Sequence, residues 1–391
     1  MIGVKSLQQR SLNLTRLLSF SPGQAGRMEY SASASTAEQE IIYSKYGAVG
    51  VILLNRQKAL NSINQSMVVS MHQKLKEWTT DGTKLVICKG SGAKAFCAGG
   101  DVVAIYNAGK PGQDNLMGEF FREEYILNHQ IGTLKIPYVA LIHGITMGGG
   151  VGISVHGKFR VATEKTMFAM PETAIGFLTD VGGSYFLPRL PGNLGLYLAL
   201  TGDRLVGKDV KFAGVATHFV DAAQLPFLEK DLISLKNPDD ASVADILSKF
   251  EKKSEVQKDV KFSMENKTDW IDNTFGGSSM EDIVKNLRDD STEWSKQTLS
   301  TLAKMSPTSL KIVHRQIQLG KSKDLAECLK MELRVALRLL RQNDFYEGVR
   351  AKLVDKDNKP AWKPSRLEDI PDTEIDRYFA PFSDPKQELQ L

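Results

Sequence analysis

Three cysteines in 391 residues, Cys88, Cys97 and Cys328, are too few for a disulfide framework, and their spacing fits no zinc pattern. A reducing compartment suits them. No stretch of about 18 apolar residues runs free of charge, so no membrane-spanning helix is expected. Charge of either sign is hardly in excess: 50 Lys and Arg against 46 Asp and Glu leave a net of +4, too little for the long-range field of a nucleic-acid binder. No two histidines stand at i and i+4 around a glutamate, and no Asp, Glu or His group has metal-ligand spacing, so neither a metal nor another cofactor is expected. What remains is an ordinary globular balance, 42% hydrophobic and 25% charged, which excludes collagen, wholesale disorder and a coiled-coil rod.

The small positive excess is concentrated at the start of the chain. Residues 1–36 hold Lys5, Arg10, Arg16 and Arg27 against Glu29 alone, are rich in Ser and Leu, and lack the apolar run of a secretory signal. They read as a mitochondrial transit peptide, or else as a ragged disordered start. From about residue 40, short β-branched runs at 49–54, 84–89, 138–143 and 159–163 predict strands, and three- and four-residue apolar spacing predicts helices over 65–79 and 117–134. This is α/β order, expected over residues 37–224. Residues 225–304 are poor in glycine and rich in Lys, Asp, Glu and Ser, and read as a helical insertion. In the region 305–391, Ser306-Pro307 offers a helix start, Gly320 a stop, and 325–340 a long helix, with a polar tail ordered by docking.

Twice, a strand runs into a glycine-rich loop and then a helical stretch: Phe96-Cys97-Ala98-Gly99-Gly100-Asp101, and Met147-Gly148-Gly149-Gly150-Val151-Gly152. Two such loops could aim two N–H donors at one oxygen, the requirement of an oxyanion hole; the same glycines would also serve tight strand-helix packing. Other chemistries fail on inspection. The segment from Gly152 to Lys158 resembles a phosphate-binding loop, but Phe159 follows where a hydroxyl must hold magnesium, and Ser154 and Ser184 lack the second glycine of a nucleophile elbow. Two acids remain. Glu172 follows Met170-Pro171, and Asp180 opens Asp180-Val181-Gly182-Gly183; each sits among apolar and turn-forming residues, as a desolvated catalytic carboxylate or a plain cap would. Glu123 and Glu124, beside Phe120, Phe121 and Tyr125, read locally as a solvated helix face, and Cys97 as a small core residue.

Together, residues 55–61, 94–101, 143–150 and 170–176 resemble, in order and spacing, the enoyl-CoA hydratase/isomerase (crotonase) superfamily over about residues 40–222. Phe121-Arg122-Glu123-Glu124-Tyr125, Asp180-Val181-Gly182-Gly183 and residues 344–357 are similar to a branch that hydrolyses short 3-hydroxyacyl-CoA thioesters in valine breakdown. The resemblance implies a superhelix of ββα repeats completed by a helical C-terminal region, a small-molecule acyl-CoA substrate, a mitochondrial matrix location and possible homo-oligomers. It implies an oxyanion hole from the N–H groups of Gly100 and Gly149, catalysis by Glu172 as nucleophile or general base, Asp180 orienting water or a proton, Glu124 on the substrate's 3-hydroxyl, and Lys58 near coenzyme A. Hydratases of the family carry a glutamate at the position of Gly152. Its absence favours thioester hydrolysis over a hydratase or isomerase, or over a non-catalytic acyl-CoA-binding protein.

Overall fold

Period-two alternation along four strands decides how the main sheet is covered. In the computed structural model, which describes residues 39–109 and 114–391, strands β1 (Ile41–Tyr46) and β2 (Val49–Leu54) form an antiparallel pair, and β3 (Leu85–Gly90) lies parallel beside β2. Val49 and Val51, Leu85 and Ile87, Val139 and Leu141, and Phe159 and Val161 point to one face. They bury against Leu228, Leu232, Val243, Leu247 and Phe250 of the helices Leu225–Ile233 and Asp240–Lys252. The intervening residues, such as Ile52, Leu54, Val86, Cys88, Ala140 and Ile142, enter the larger core on the other face. A sheet covered on both sides reads as nearly continuous apolar runs, which is why these strands are legible.

Each following repeat places one strand in each of two sheets. After β3 comes β4 (Ala95–Cys97); β5 (Tyr138–Ile142) is followed by β6 (Ile145–Met147), and β7 (Phe159–Ala162) by β8 (Met167–Ala169). The first of each pair joins the six-stranded sheet, closed at its far edge by β10 (His218–Phe219). The second joins a four-stranded sheet ordered β4-β6-β8 and then β9 (Leu205–Val206). In that small sheet β4, β6 and β8 run parallel, so their C-terminal ends lie on one edge. Gly100, Gly149 and Glu172 each come two or three residues after one of these strands. The repeat itself brings the three together.

Between the strands run α1 (Gln65–Trp78), α2 (Val102–Ala108), α3 (Asp114–Thr133) and α4 (Gly149–Val155). The C-terminal half is helical. Helix Pro307–Gly320 starts on the Ser306 side chain, which accepts from the Ser309 N–H, with proline in its first turn. Helix Leu325–Leu339 starts on a capping box between Asp324 and Glu327. The polar tail docks: Arg122 donates to the carbonyls of Gln387 and Glu388, Arg334 pairs with Glu388 at 2.9 Å, and Leu389 is buried. Residues Gln39–Leu391 form one compact unit, and the expected transit peptide lies outside the described residues.

Candidate active site

The two glycine loops meet. A methyl group placed on Gly149 would lie 3.0 Å from the nitrogen of Gly100 and 2.5 Å from Oε1 of Glu124, and one on Gly148 would lie 3.3 Å from Oε1 of Glu172. Any side chain here would fill the space between amides and acids. Gly149 is the first residue of α4, where an N–H has no intrahelical partner, and Gly100 lies just beyond β4. Among the described residues, neither N–H has a hydrogen-bond acceptor. The loop holding Gly100 is itself fixed: Ile63 N–H donates to the Gly99 carbonyl at 2.9 Å, Asp101 N–H donates to the Ile63 carbonyl at 2.8 Å, and Asp101 pairs with Arg56 at 3.0 Å.

Three carboxyl groups line this place. Glu124, Glu172 and Asp180 are 2%, 6% and 5% exposed. Burial, then the charge of Asp180, lifts Glu172 well above the usual carboxylate range; burial, then Asp180 and Glu172, does the same for Glu124. Burial raises Asp180 to about 7, opposed by the Tyr125 hydroxyl, which donates to its Oδ2 at 2.8 Å. Such mutual influence means that the acids lie within electrostatic reach of one another. Among the described residues, Oε1 of Glu124 and Oε2 of Glu172 have no hydrogen-bond partner.

Different elements hold each acid. Glu124 belongs to a stripe on α3, Phe121, Glu124, Tyr125 and Asn128, spaced as the inward face of a helix. Its burial corrects the local reading of Glu123 and Glu124 as a solvated face; only Glu123 stays partly exposed. Glu172 begins the short turn Glu172–Ile175, closed by Gly176 at φ +71°. The C-terminal motif packs over that turn. A methyl on Gly176 would lie 2.2 Å from the Asp344 carbonyl oxygen, Phe177 packs against Phe345 at a tilt of 56° with centroids 5.4 Å apart, and Asp344 accepts from the Ser306 hydroxyl at 2.6 Å.

Asp180 sits on a strained loop that the C-terminal helices brace. Val181 has φ +51°, unusual for a β-branched residue, and its carbonyl accepts from His156 Nε2 at 2.7 Å. Glu332, buried in helix Leu325–Leu339, accepts from the N–H of Gly182 at 2.7 Å, the N–H of Ser184 at 2.8 Å and the Ser184 hydroxyl at 2.5 Å. Gln316 donates to the Thr179 carbonyl at 2.6 Å. Sequence reasoning missed Glu332, Gln316, His156 and Asn128; a polar residue on an otherwise apolar helix stripe was the available signal for Glu332 and Asn128.

Two candidates stand apart. Lys58 is exposed on the turn Gln57–Ala59, two residues after Arg56, whereas the three acids are buried. Cys97 is buried, with its thiol pushed up to about 12 by desolvation, which makes a thiolate nucleophile unfavourable. Among the described residues no group of His, Cys, Asp and Glu could hold a metal ion, and no helix is long and apolar enough to cross a membrane.

Position 152 is closed to any side chain. A methyl there would lie 2.6 Å from Cβ of Val181 and 2.9 Å from Nδ2 of Asn128.

Comparison with known proteins agrees with this geometry. The chain is 55% identical over 339 residues to the mitochondrial 3-hydroxyisobutyryl-CoA hydrolase of Xenopus laevis, covering 86% of this chain and 88% of the relative. It is 50% identical over 344 residues to the Homo sapiens protein of that name, covering 88% and 89%. Among solved structures it resembles a carnitinyl-CoA dehydratase from Mycobacterium thermoresistibile, with a TM-score of 0.82, 35% identity, and 90% of this chain and 99% of the other covered. It also resembles an enoyl-CoA hydratase from Rhodobacter sphaeroides 2.4.1, with a TM-score of 0.81, 33% identity, and 90% and 100% covered. The profile described as Enoyl-CoA hydratase/isomerase matches residues 49–379, from β2 through both glycine loops to the end of helix Asp372–Phe379, and the chain belongs to that family.

Proposed function

We propose that the chain hydrolyses the thioester of 3-hydroxyisobutyryl-CoA to 3-hydroxyisobutyrate and CoA, in the mitochondrion, as a step of valine breakdown. The observation that carries this reading is the abutment of two acceptor-free amides, Gly100 and Gly149, beside the buried carboxyl of Glu172. The mitochondrial 3-hydroxyisobutyryl-CoA hydrolases at 50–55% identity supply the substrate.

The thioester oxygen sits between the N–H groups of Gly100 and Gly149, which stabilise the negative charge that develops as the carbonyl carbon becomes tetrahedral. Loss of one such donor costs about 2.7–4 kcal/mol of transition-state stabilisation. Glu172 acts as general base. Burial makes its carboxylate a stronger base than an exposed one, and it takes a proton from water as the water oxygen bonds to the carbonyl carbon. The carbon-sulfur bond then breaks, the electron pair leaves on sulfur, and the proton held by Glu172 passes to the thiolate. Asp180, in hydrogen-bond contact with Tyr125, orients the water side of the site. Glu124 binds the 3-hydroxyl through its unpartnered oxygen, and Lys58 offers its charge to the coenzyme A phosphates.

Residues 37–224 carry the reacting groups, 225–304 add helices, and 305–391 complete the site, with 1–36 as the targeting segment. The implied self-association belongs to the same reading and is read by sedimentation.

The test is a substrate panel. Free thiol release is expected from 3-hydroxyisobutyryl-CoA and also from 3-hydroxypropionyl-CoA, and much more slowly from isobutyryl-CoA, which lacks the hydroxyl; Glu124→Ala should erase that preference. Hydration of crotonyl-CoA without thiol release would instead make the protein a hydratase.

A further inference from the structure

Buried polar atoms without a partner are uncommon in folded proteins, and each is costly unless water or a ligand satisfies it. Among the described residues, Oε1 of Glu124, Oε2 of Glu172 and both Nδ2 and Oδ1 of Asn128 are such atoms, and Glu124, Glu172 and Asn128 lie against Gly149, Gly148 and Gly152 at the start of α4. Asn128 is fully buried, and among the described residues its carboxamide has no hydrogen-bond partner. It stands one helical turn beyond Glu124 on the same face of α3. The two helices meet in register: Glu124 faces Gly149, and Asn128 faces Gly152, three residues along α4. Val181, the residue after Asp180, closes the same space, with its Cβ 2.6 Å from where a methyl on Gly152 would lie.

Resting on the reading of Glu172 as general base, we propose that the carboxamide of Asn128 binds the water that attacks the thioester. One hydrogen of that water is donated to Glu172 and the other to Oδ1 of Asn128, which leaves a lone pair aimed at the carbonyl carbon. Asn128 itself exchanges no proton. Its amide is neutral across the working pH range, so it fixes the water without adding a fourth charge to three crowded acids. The absent side chain at Gly152 leaves the space in which this amide sits.

The test compares Asn128→Leu, which keeps the bulk but neither donates nor accepts, and Asn128→Ala with the wild type. Each is assayed for CoA release from 3-hydroxyisobutyryl-CoA with and without added hydroxylamine, after its fold has been checked by circular dichroism. The expected result is a kcat in water lower by about 10- to 100-fold with KM changed by less than about 3-fold, because a misplaced reactant slows the chemical step more than it weakens binding. Hydroxylamine, a stronger nucleophile that does not depend on a positioned water, should restore much of the lost CoA release. A folded variant with wild-type kcat overturns the assignment, as does a loss of kcat that hydroxylamine leaves unchanged. If Asn128→Leu does not fold, Asn128→Ala alone decides. Glu172→Ala, measured alongside, separates the two claims. Wild-type turnover in that variant sinks the reading of the base itself, whereas loss there with full activity in both Asn128 variants sinks only the water site.

Discussion

Adding a single methyl group at residue 152 tests how the Asp180 loop is held. In Gly152→Ala the new Cβ would lie 2.6 Å from Cβ of Val181 and 2.9 Å from Nδ2 of Asn128. Carbon atoms pack at about 3.5–4.0 Å, so roughly 1 Å of displacement is required. Helix α4 packs against α3 and against strands of both sheets, whereas Val181 lies on a loop at φ +51°, so the loop yields. Overpacking of this kind costs about 1–3 kcal/mol of stability. The effect on turnover is larger: moving Asp180 by about 1 Å should lower kcat about 100-fold. Thermal unfolding and CoA release are measured on the same preparation. A variant with wild-type kcat and an unchanged unfolding midpoint would refute the packing of Val181 against α4. For the same reason, Gly152→Glu should not create a hydratase, and crotonyl-CoA should remain unhydrated.

Two further outcomes follow from the buried acids. Glu332→Leu leaves the two N–H groups of Gly182 and Ser184 and the Ser184 hydroxyl without their acceptor, a loss of at least about 3 kcal/mol, while Glu332→Gln keeps an acceptor and should cost less; denaturant titration ranks them. Burial holds the Glu332 carboxyl at about 8, above an unfolded value of about 4.3. Its stabilising contribution is therefore complete below pH ~4 and fades as pH rises through 8, so wild-type stability should fall more steeply than that of Glu332→Gln between pH 6 and pH 9, and parallel curves would contradict this. In Asp180→Asn, the charge that raises Glu172 next after burial is gone, so the acid limb of residual kcat/KM should move to lower pH; an unmoved or upward-shifted limb would contradict the electrostatic coupling.

Much of the frame was legible because strands buried on both faces are continuous apolar runs. The run 49–54 coincides with β2, and the predicted helix 65–79 with Gln65–Trp78. Strands β4, β6 and β8 were not legible, since three residues carry no period, yet their common edge places Gly100, Gly149 and Glu172. Burial of acids was the hardest feature to read. Glu124 differs from Glu123 only by about 100° around α3, and what desolvates it is α4, a separate element. Glu332 looks like one acid of an amphipathic helix until the Asp180 loop, about 150 residues earlier in sequence, folds onto it.

The most direct test of thioester cleavage by one buried base is turnover of 3-hydroxyisobutyryl-CoA by Glu172→Gln, which keeps the shape of the side chain and removes its basicity. The account predicts a kcat lower by about 100- to 10,000-fold with binding of the CoA ester retained. Thiol release by that variant at the wild-type rate would contradict it.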